Sequence, residues 1–307
     1  MNTSEDLETE TIDASPVLRA SWREYLALSK LRLTLLVVLT ACLGYFIAIV
    51  KTSAVFHLGS FLGLVIGGFL LTASSNTLNQ IIERQSDSKM SRTANRPLVM
   101  QRISFIEALL FALISGVSSL IILGLSLNAT AAFLGLASLI LYAFFYTPLK
   151  KLTPLAVFVG AFPGAFPPLL GFIGATGVMT FDALVLFTIQ FFWQFPHFWS
   201  LAWVLHDDYQ KAGYFMLPSK TGKSKKSAFQ IWWYSVMLLI VSFIPIYSKL
   251  LNTQFSVILY FSVAILLGAF MIGLSRKLYN SLSDADARKL MFASFVYIPL
   301  LLAALLF

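Results

Sequence analysis

The chain has 307 residues, 58% of them hydrophobic and only 12% charged, with a mean hydropathy of +0.81. A soluble domain carries about 25% charged residues, so this composition excludes an ordinary soluble enzyme and defines a polytopic membrane protein. The net charge of +8 does not indicate nucleic acid, because in a membrane chain the placement of cations along the loops carries more than their sum.

Residues 1–20 are polar and acidic (Glu5, Asp6, Glu8, Glu10, Asp13) and read as a disordered tail. They have neither the basic start and early apolar core of a secretory signal nor the Arg-rich, acid-poor composition of a mitochondrial presequence. That pattern points to a bacterial plasma membrane. From residue 21 to 307 the chain reads as one membrane-embedded domain. Cys42, its single cysteine, excludes an intramolecular disulfide and reads as a packing residue.

Nine apolar segments are long enough to cross about 30 Å of hydrocarbon as helices: 31–50, 59–82, 104–126, 129–147, 155–175, 182–205, 229–248, 255–274 and 289–306. The expected fold is all-α, with nine transmembrane helices around a central cavity open to the cytoplasmic side. With the N-terminus inside and the C-terminus outside, 20 of the 22 Lys and Arg residues fall on the cytoplasmic side, leaving only Lys51 and Lys249 outside. The two longest cytoplasmic loops follow the second and sixth segments. They lie four helices apart, as in a duplicated four-helix unit with a ninth helix added.

The end of the second segment is unusual for a membrane helix. At about 100° per residue, Asn76, Asn79, Glu83 and Asp87 fall within an arc of roughly 80° and share one face. Ionisable groups at this depth are costly and usually face a working cavity. Glu83 and Asp87 are hard oxygen donors one turn apart, a pattern suited to Mg²⁺, which is commonly held by one or two carboxylates together with substrate phosphates. Lys89, Arg92 and Arg96 follow at once, which makes the stretch a candidate diphosphate site.

The fifth segment contains Pro163, Pro167 and Pro168 with Gly160, Gly164 and Gly171, a composition that kinks or breaks helices. Irregular backbone in a membrane lines a cavity or is buried in protein, so this segment is expected to border the same cavity. The sixth segment carries Gln190, Trp193, Gln194, His197 and Trp199, and ends in a second acidic pair, Asp207-Asp208, followed by Lys211. Lys220, Lys223, Lys225 and Lys226 read as a membrane-surface anchor. No Cys/His set fits zinc and no Gly-rich nucleotide loop is present.

Three stretches together resemble the membrane-embedded prenyltransferase superfamily typified by 4-hydroxybenzoate polyprenyltransferase, and within it the protoheme IX farnesyltransferase (heme O synthase) family. They are Asn79-Gln80-Ile81-Ile82-Glu83-Arg84 through Asp87 to Arg96-Pro97-Leu98; Tyr146-Thr147-Pro148-Leu149-Lys150-Lys151 with the Pro/Gly-rich segment ending at Gly171; and Pro196-His197-Phe198-Trp199 with Asp207-Asp208-Tyr209 and Met216-Leu217-Pro218. Tyr25-Leu26 to Lys30-Leu31-Arg32 is similar as well. The likeness spans roughly residues 22–307. The first acidic position is Glu83 where the superfamily has Asp, and the superfamily D-x-x-x-D is not kept, since Lys211 stands four after Asp207 and Ala212 four after Asp208.

The resemblance implies an Mg²⁺-dependent transfer of a farnesyl group from farnesyl diphosphate to a vinyl group of heme B, with water added, giving heme O and diphosphate. It implies Mg²⁺ held through the diphosphate by Glu83, Asp87, Asp207 and Asp208, with Asn79 in support. Lys89, Arg92, Arg96, Lys150 and Lys211 would neutralise the diphosphate. His197, with Trp199 and Gln194, would contact the heme. Heme A synthase or a terminal oxidase would be further partners, beside the lipid bilayer. A prenyltransferase for an aromatic acid or quinone precursor and, from another class, a secondary transporter are the alternatives; acids clustered at one membrane face argue against the transporter.

Overall fold

The computed structural model describes residues 20–307; the acidic tail lies outside the described residues apart from Ala20. The backbone of a lipid-immersed chain must satisfy its own hydrogen bonds, and every apolar run here folds as helix. In chain order these are α1 (Trp22–Ser29), α2 (Leu31–Lys51), α3 (Leu58–Asp87), α4 (Phe105–Ser126) and α5 (Ala129–Ile140). Past a π-helical turn (Leu141–Tyr146) come α6 (Thr147–Leu149), α7 (Ala156–Thr176), α8 (Phe181–Val204), α9 (His206–Lys211), α10 (Lys225–Val241), α11 (Gln254–Ser281) and α12 (Asp284–Ala304).

Polar residues at the boundaries fix the helix starts. Ser104 and Glu107 form a reciprocal capping box on α4. Asn128, Thr180, Ser224 and Ser283 cap α5, α8, α10 and α12 with their side-chain oxygens. The caps start α10 and α12 four and five residues before the apolar segments at 229 and 289, and α11 runs to Ser281, seven residues past 274. Hydropathy locates the lipid-crossing part of a helix, whereas capping sets its end.

The helices form a ring. α2, α3, α4 and α5 pack in succession, α5 packs on α7, and α7 lies against both α2 and α8. Beyond α8, α10, α11 and α12 form a second group, and α12 closes back on α8 and α2. Among the described residues eight helices are long and apolar enough to cross a membrane. The sixth expected segment, α8, is a 24-residue helix outside that set; its glutamines, tryptophans and His197 dilute its hydropathy, and it packs between α7, α10 and α12.

Of the kink or break expected in the Pro-rich segment, the break does not occur. α7 is unbroken from Ala156 to Thr176 with all three prolines inside it. Its small residues bring two backbones together. A Cβ on Gly171 would collide with the Ala41 carbonyl, and one on Gly44 with the Pro168 carbonyl, so α2 and α7 meet at backbone distance. In lipid, where apolar burial drives little helix association, such close packing through small residues holds helices together. Gln194 of α8 also donates to the Ala161 carbonyl at 2.7 Å.

Candidate active site

The polar end of α3 is buried. Asn76, Asn79, Gln80, Glu83 and Asp87 are each no more than 6% exposed. Two of their amides pin the end of α1: Gln80 Nε2 donates to the Leu28 carbonyl at 2.8 Å, and Asn76 Nδ2 to the Ser29 carbonyl at 3.1 Å. The next residue, Lys30, links α1 to α2 in a left-handed conformation, with φ 49° and ψ 57°. A non-glycine residue rarely adopts it, and such strain concentrates at functional sites. Here it aims Lys30 Nζ at Asn79 Oδ1, 3.2 Å away.

Asn79 bridges two elements, because its Nδ2 also donates to Thr147 Oγ1 at 3.1 Å. Thr147 follows the π-helical turn, a feature frequent at functional sites, and itself donates to the Tyr142 carbonyl. One turn along α3, Glu83 Oε1 accepts from Lys150 Nζ at 2.8 Å, both groups being buried. The Lys150 ammonium stands 4.4 Å over the Tyr146 ring. Burial works against its charge, and the adjacent Glu83 carboxylate more than offsets that, holding it above the usual lysine range. Asp87 Oδ2 pairs with Arg96. Asp87 Oδ1 is buried with no hydrogen-bond partner.

Two carboxylates thus face three cations, Lys30, Arg96 and Lys150. The cage holds one positive charge in excess. Lys30 registers it, since burial, then Arg96 and Lys150, pull its ammonium down to about 7. The loop after α9 covers this end of the site. Phe215 N donates to the Lys150 carbonyl at 2.7 Å, and the neighbouring Tyr214 hydroxyl is buried without a hydrogen-bond partner.

The second acidic pair keeps separate company. Asp208 accepts from Ser91 Oγ at 2.9 Å and from Lys211 at 3.0 Å, and these bonds hold its carboxyl below the usual range. Asp207 has an 81% exposed side chain and lies 3.8 Å from Lys223, which also pairs with Asp284. Arg92 stacks over Tyr209 at 4.7 Å, so the two acidic loops meet through Ser91–Asp208 and Arg92–Tyr209. Lys89 is exposed. Among the described residues no three His, Cys, Asp or Glu side chains converge as a ready-made metal site.

The three heme candidates of the sixth segment point apart. Gln194 faces α7. Trp199 packs on Tyr234 of α10, with ring centroids 4.9 Å apart. His197 is bonded to Ser294 of α12.

Beneath the charged cage lies an apolar cavity of about 190 Å³ between α2, α3, α5, α7 and α8. Asn76, Ser75, Tyr142 and Tyr146 lie at its polar end; Leu71, Leu64, Val38, Phe166, Pro167 and Leu170 line the remainder. From Asn76 to Leu64 it follows about 18 Å of α3, at about 1.5 Å per residue. The Pro/Gly-rich helix borders this cavity, as expected from its composition. Sequence reading missed Lys30 as a site residue, together with Thr147 and Tyr214. Lys30 and Thr147 fall in stretches noted for their resemblance, but only the fold turns them toward Asn79.

A buried cage of anion-binding cations and hard oxygens over an apolar slot is suited to a prenyl diphosphate. The UbiA prenyltransferase family model matches residues 37–297, and the chain belongs to that family. Within it the chain groups with the protoheme IX farnesyltransferases. It is 41% identical to that of Cytophaga hutchinsonii over 92% of this chain and 96% of the relative. It is 43% identical to that of Christiangramia forsetii over 91% and 90%. Among solved structures it is similar to a digeranylgeranylglyceryl phosphate synthase, with a TM-score of 0.75 and 19% identity over 92% of this chain and 96% of that one. It is also similar to a UbiA homologue from Archaeoglobus fulgidus bound to GPP and Mg²⁺, with a TM-score of 0.67 and 18% identity over 92% and 99%.

Proposed function

We propose that the protein transfers the farnesyl group of farnesyl diphosphate to a vinyl group of protoheme IX, with addition of water, giving heme O and diphosphate. The carrying observation is the buried cage of Lys30, Asn79, Glu83, Asp87, Arg96 and Lys150 at the mouth of the apolar slot. Identity above 40% to protoheme IX farnesyltransferases names the acceptor.

The donor set fits Mg²⁺. Asp87 Oδ1 is a buried, unpartnered carboxylate oxygen, the kind of hard ligand this ion prefers. Glu83 and Asp87 would hold it, with the diphosphate oxygens completing its shell. Asp208 and Asp207 are the oxygen donors available on the solvent side. Mg²⁺ bound with the substrate supplies Lewis-acid charge that weakens the ester bond.

The chain's own residues do the rest. Lys30, Arg96 and Lys150 take the charge that develops as the allylic carbon–oxygen bond breaks and its electron pair leaves with the diphosphate. Arg92, Lys89 and Lys211 line the solvent approach. The slot walls exclude water from the farnesyl cation, and Tyr142 and Tyr146 shelter it near the cage. The vinyl π electrons form the new carbon–carbon bond. The cation left beside the porphyrin ring takes water, which loses a proton.

All nine helices, α8 included, span a bacterial plasma membrane in this reading, with the N-terminus and the cage on the cytoplasmic side and the C-terminus outside. The lysine and arginine distribution supports it. The test is purified protein in detergent with heme B and farnesyl diphosphate, the product identified by mass. Heme O is expected only when Mg²⁺ is present. A prenylated benzoate, or undiminished activity in Glu83→Ala, refutes the reading.

A further inference from the structure

The loop after α9 delivers one side chain to the cage. Gly213 has φ 72°, a conformation that glycine adopts without steric cost. Gly213 N donates to the Gln210 carbonyl and Tyr214 N to the Tyr209 carbonyl, both at 2.9 Å. Such a pair of bonds stops a helix and turns the chain back across its end. The apolar contact that accompanies this turn is Tyr209 against Tyr214, with ring centroids 6.0 Å apart. One residue on, Phe215 N fastens the loop to the Lys150 carbonyl at 2.7 Å. Tyr214 is thus held from both sides, 5% exposed, with its ring 5.9 Å from Lys150 Nζ. A cavity of about 370 Å³ also borders Tyr214, its lining shared by His206, Gln210, Ser219 and the exposed Lys220.

The hydroxyl of this ring does nothing for the fold. It is buried and bonded to nothing among the described residues, and a buried donor left unpaired costs stability. Its surroundings are the acidic side of the cage. Burial, then the Glu83 carboxylate, raise the phenol above the usual tyrosine range, opposed by Ser86 and Lys150, with Asp87 adding a smaller rise. The group therefore keeps its hydrogen and can donate it.

Neither carboxylate receives that hydrogen. Glu83 is engaged by Lys150, and Asp87 Oδ2 by Arg96. Asp87 Oδ1 is the complementary orphan, a buried acceptor without a donor. The two orphans do not satisfy each other. A magnesium-bound diphosphate satisfies both: the cation takes the carboxylate oxygen, and a phosphoryl oxygen takes the phenolic hydrogen.

We infer that the Tyr214 hydroxyl is a catalytic residue of the farnesyl transfer, donating a hydrogen bond to a phosphoryl oxygen of the diphosphate in the cage. No proton moves. The phenol keeps its hydrogen, and the allylic carbon–oxygen bond breaks with its electron pair going to the diphosphate. The hydrogen bond strengthens as the diphosphate gains charge. This rests on the proposed use of farnesyl diphosphate, and adds one neutral donor to the three cations.

The test is Tyr214→Phe, which removes the oxygen and keeps the ring. Inorganic pyrophosphate with Mg²⁺ is titrated calorimetrically into the full chain in detergent, and thermal unfolding is recorded with and without it. Wild type is expected to bind pyrophosphate. Tyr214→Phe should bind it about 10- to 100-fold more weakly, the range of a hydrogen bond to a charged group. Without pyrophosphate the variant should unfold at the wild-type temperature or above, because it has lost an unpaired group. In turnover, kcat/KM for farnesyl diphosphate should fall by a similar factor while KM for heme B stays unchanged.

Equal pyrophosphate affinity in variant and wild type overturns the inference. A lowered unfolding temperature of the unliganded variant also overturns it, since the hydroxyl would then have a partner within the fold. Heme O formed equally well by wild type and Tyr214→Phe sinks this inference alone. A wild type that transfers no prenyl group to heme sinks the proposed function, and this inference with it.

Discussion

Lys30 offers the sharpest test of the cage. Burial, and then the neighbouring Arg96 and Lys150, bring its ammonium from 10.5 down to about 7, against smaller opposing effects of Glu83 and Asp87. A group depressed in this way is charged below that pH and neutral above it. If Lys30 must be an ammonium to receive the diphosphate, kcat/KM for farnesyl diphosphate is high on the acid side and falls on the alkaline side. With a midpoint near 7, Lys30 is roughly 90% charged one unit below and roughly 10% one unit above, and kcat/KM reports the free enzyme's ionisations. The expected fall is about tenfold per pH unit above the midpoint. Lys30→Arg keeps the charge across this range, because the guanidinium does not deprotonate in proteins, so the alkaline limb should disappear. Lys30→Met should lower kcat/KM throughout. The assay is initial rate against farnesyl diphosphate concentration from pH 6 to 9, with heme saturating. A limb of the same midpoint in Lys30→Arg belongs to another group and refutes the reasoning.

Three further outcomes follow from the packing. Glu83→Gln leaves the Lys150 ammonium buried without its partner, and breaking such a pair costs about 3–5 kcal/mol; a lowered unfolding temperature in detergent should accompany lost turnover, and an unshifted one contradicts the buried pair. Leu64→Trp fills the end of the slot far from the cage and should shift donor preference toward geranyl diphosphate, measured as a ratio of kcat/KM values; an unchanged ratio removes the slot from prenyl binding. Gly171→Val drives a side chain into the Ala41 carbonyl, and overpacking costs about 1–3 kcal/mol or more; stability equal to wild type in a thermal scan would mean that α2 and α7 are not in backbone contact.

Much of this molecule is written locally in its chain. Lipid tolerates only helices and closed barrels, so long apolar runs determine an all-α membrane fold before any packing is known. Helical periodicity alone puts Asn76, Asn79, Glu83 and Asp87 on one face, and all four are buried together. The Pro and Gly content of residues 160–171 located a cavity wall correctly but implied a kinked or broken helix, and the break does not occur. α7 is continuous, and its close packing on α2 depends on Gly44, which belongs to another helix.

What only the tertiary structure decided is which charges meet. Glu83 pairs with Lys150, 67 residues away, and Asn79 with Lys30, 49 residues away; no local rule sets either. Lys30 reads in sequence as one more cytoplasmic cation. A left-handed residue between α1 and α2, together with two amides pinning α1, turns it inward. The second acidic pair reads as the twin of the first, yet Asp207 faces solvent and Lys223 while Asp87 is sealed beside Arg96. Residue type and spacing fix what a side chain can ligate. Its depth, its ion partner and its protonation come from neighbours that the fold alone assembles.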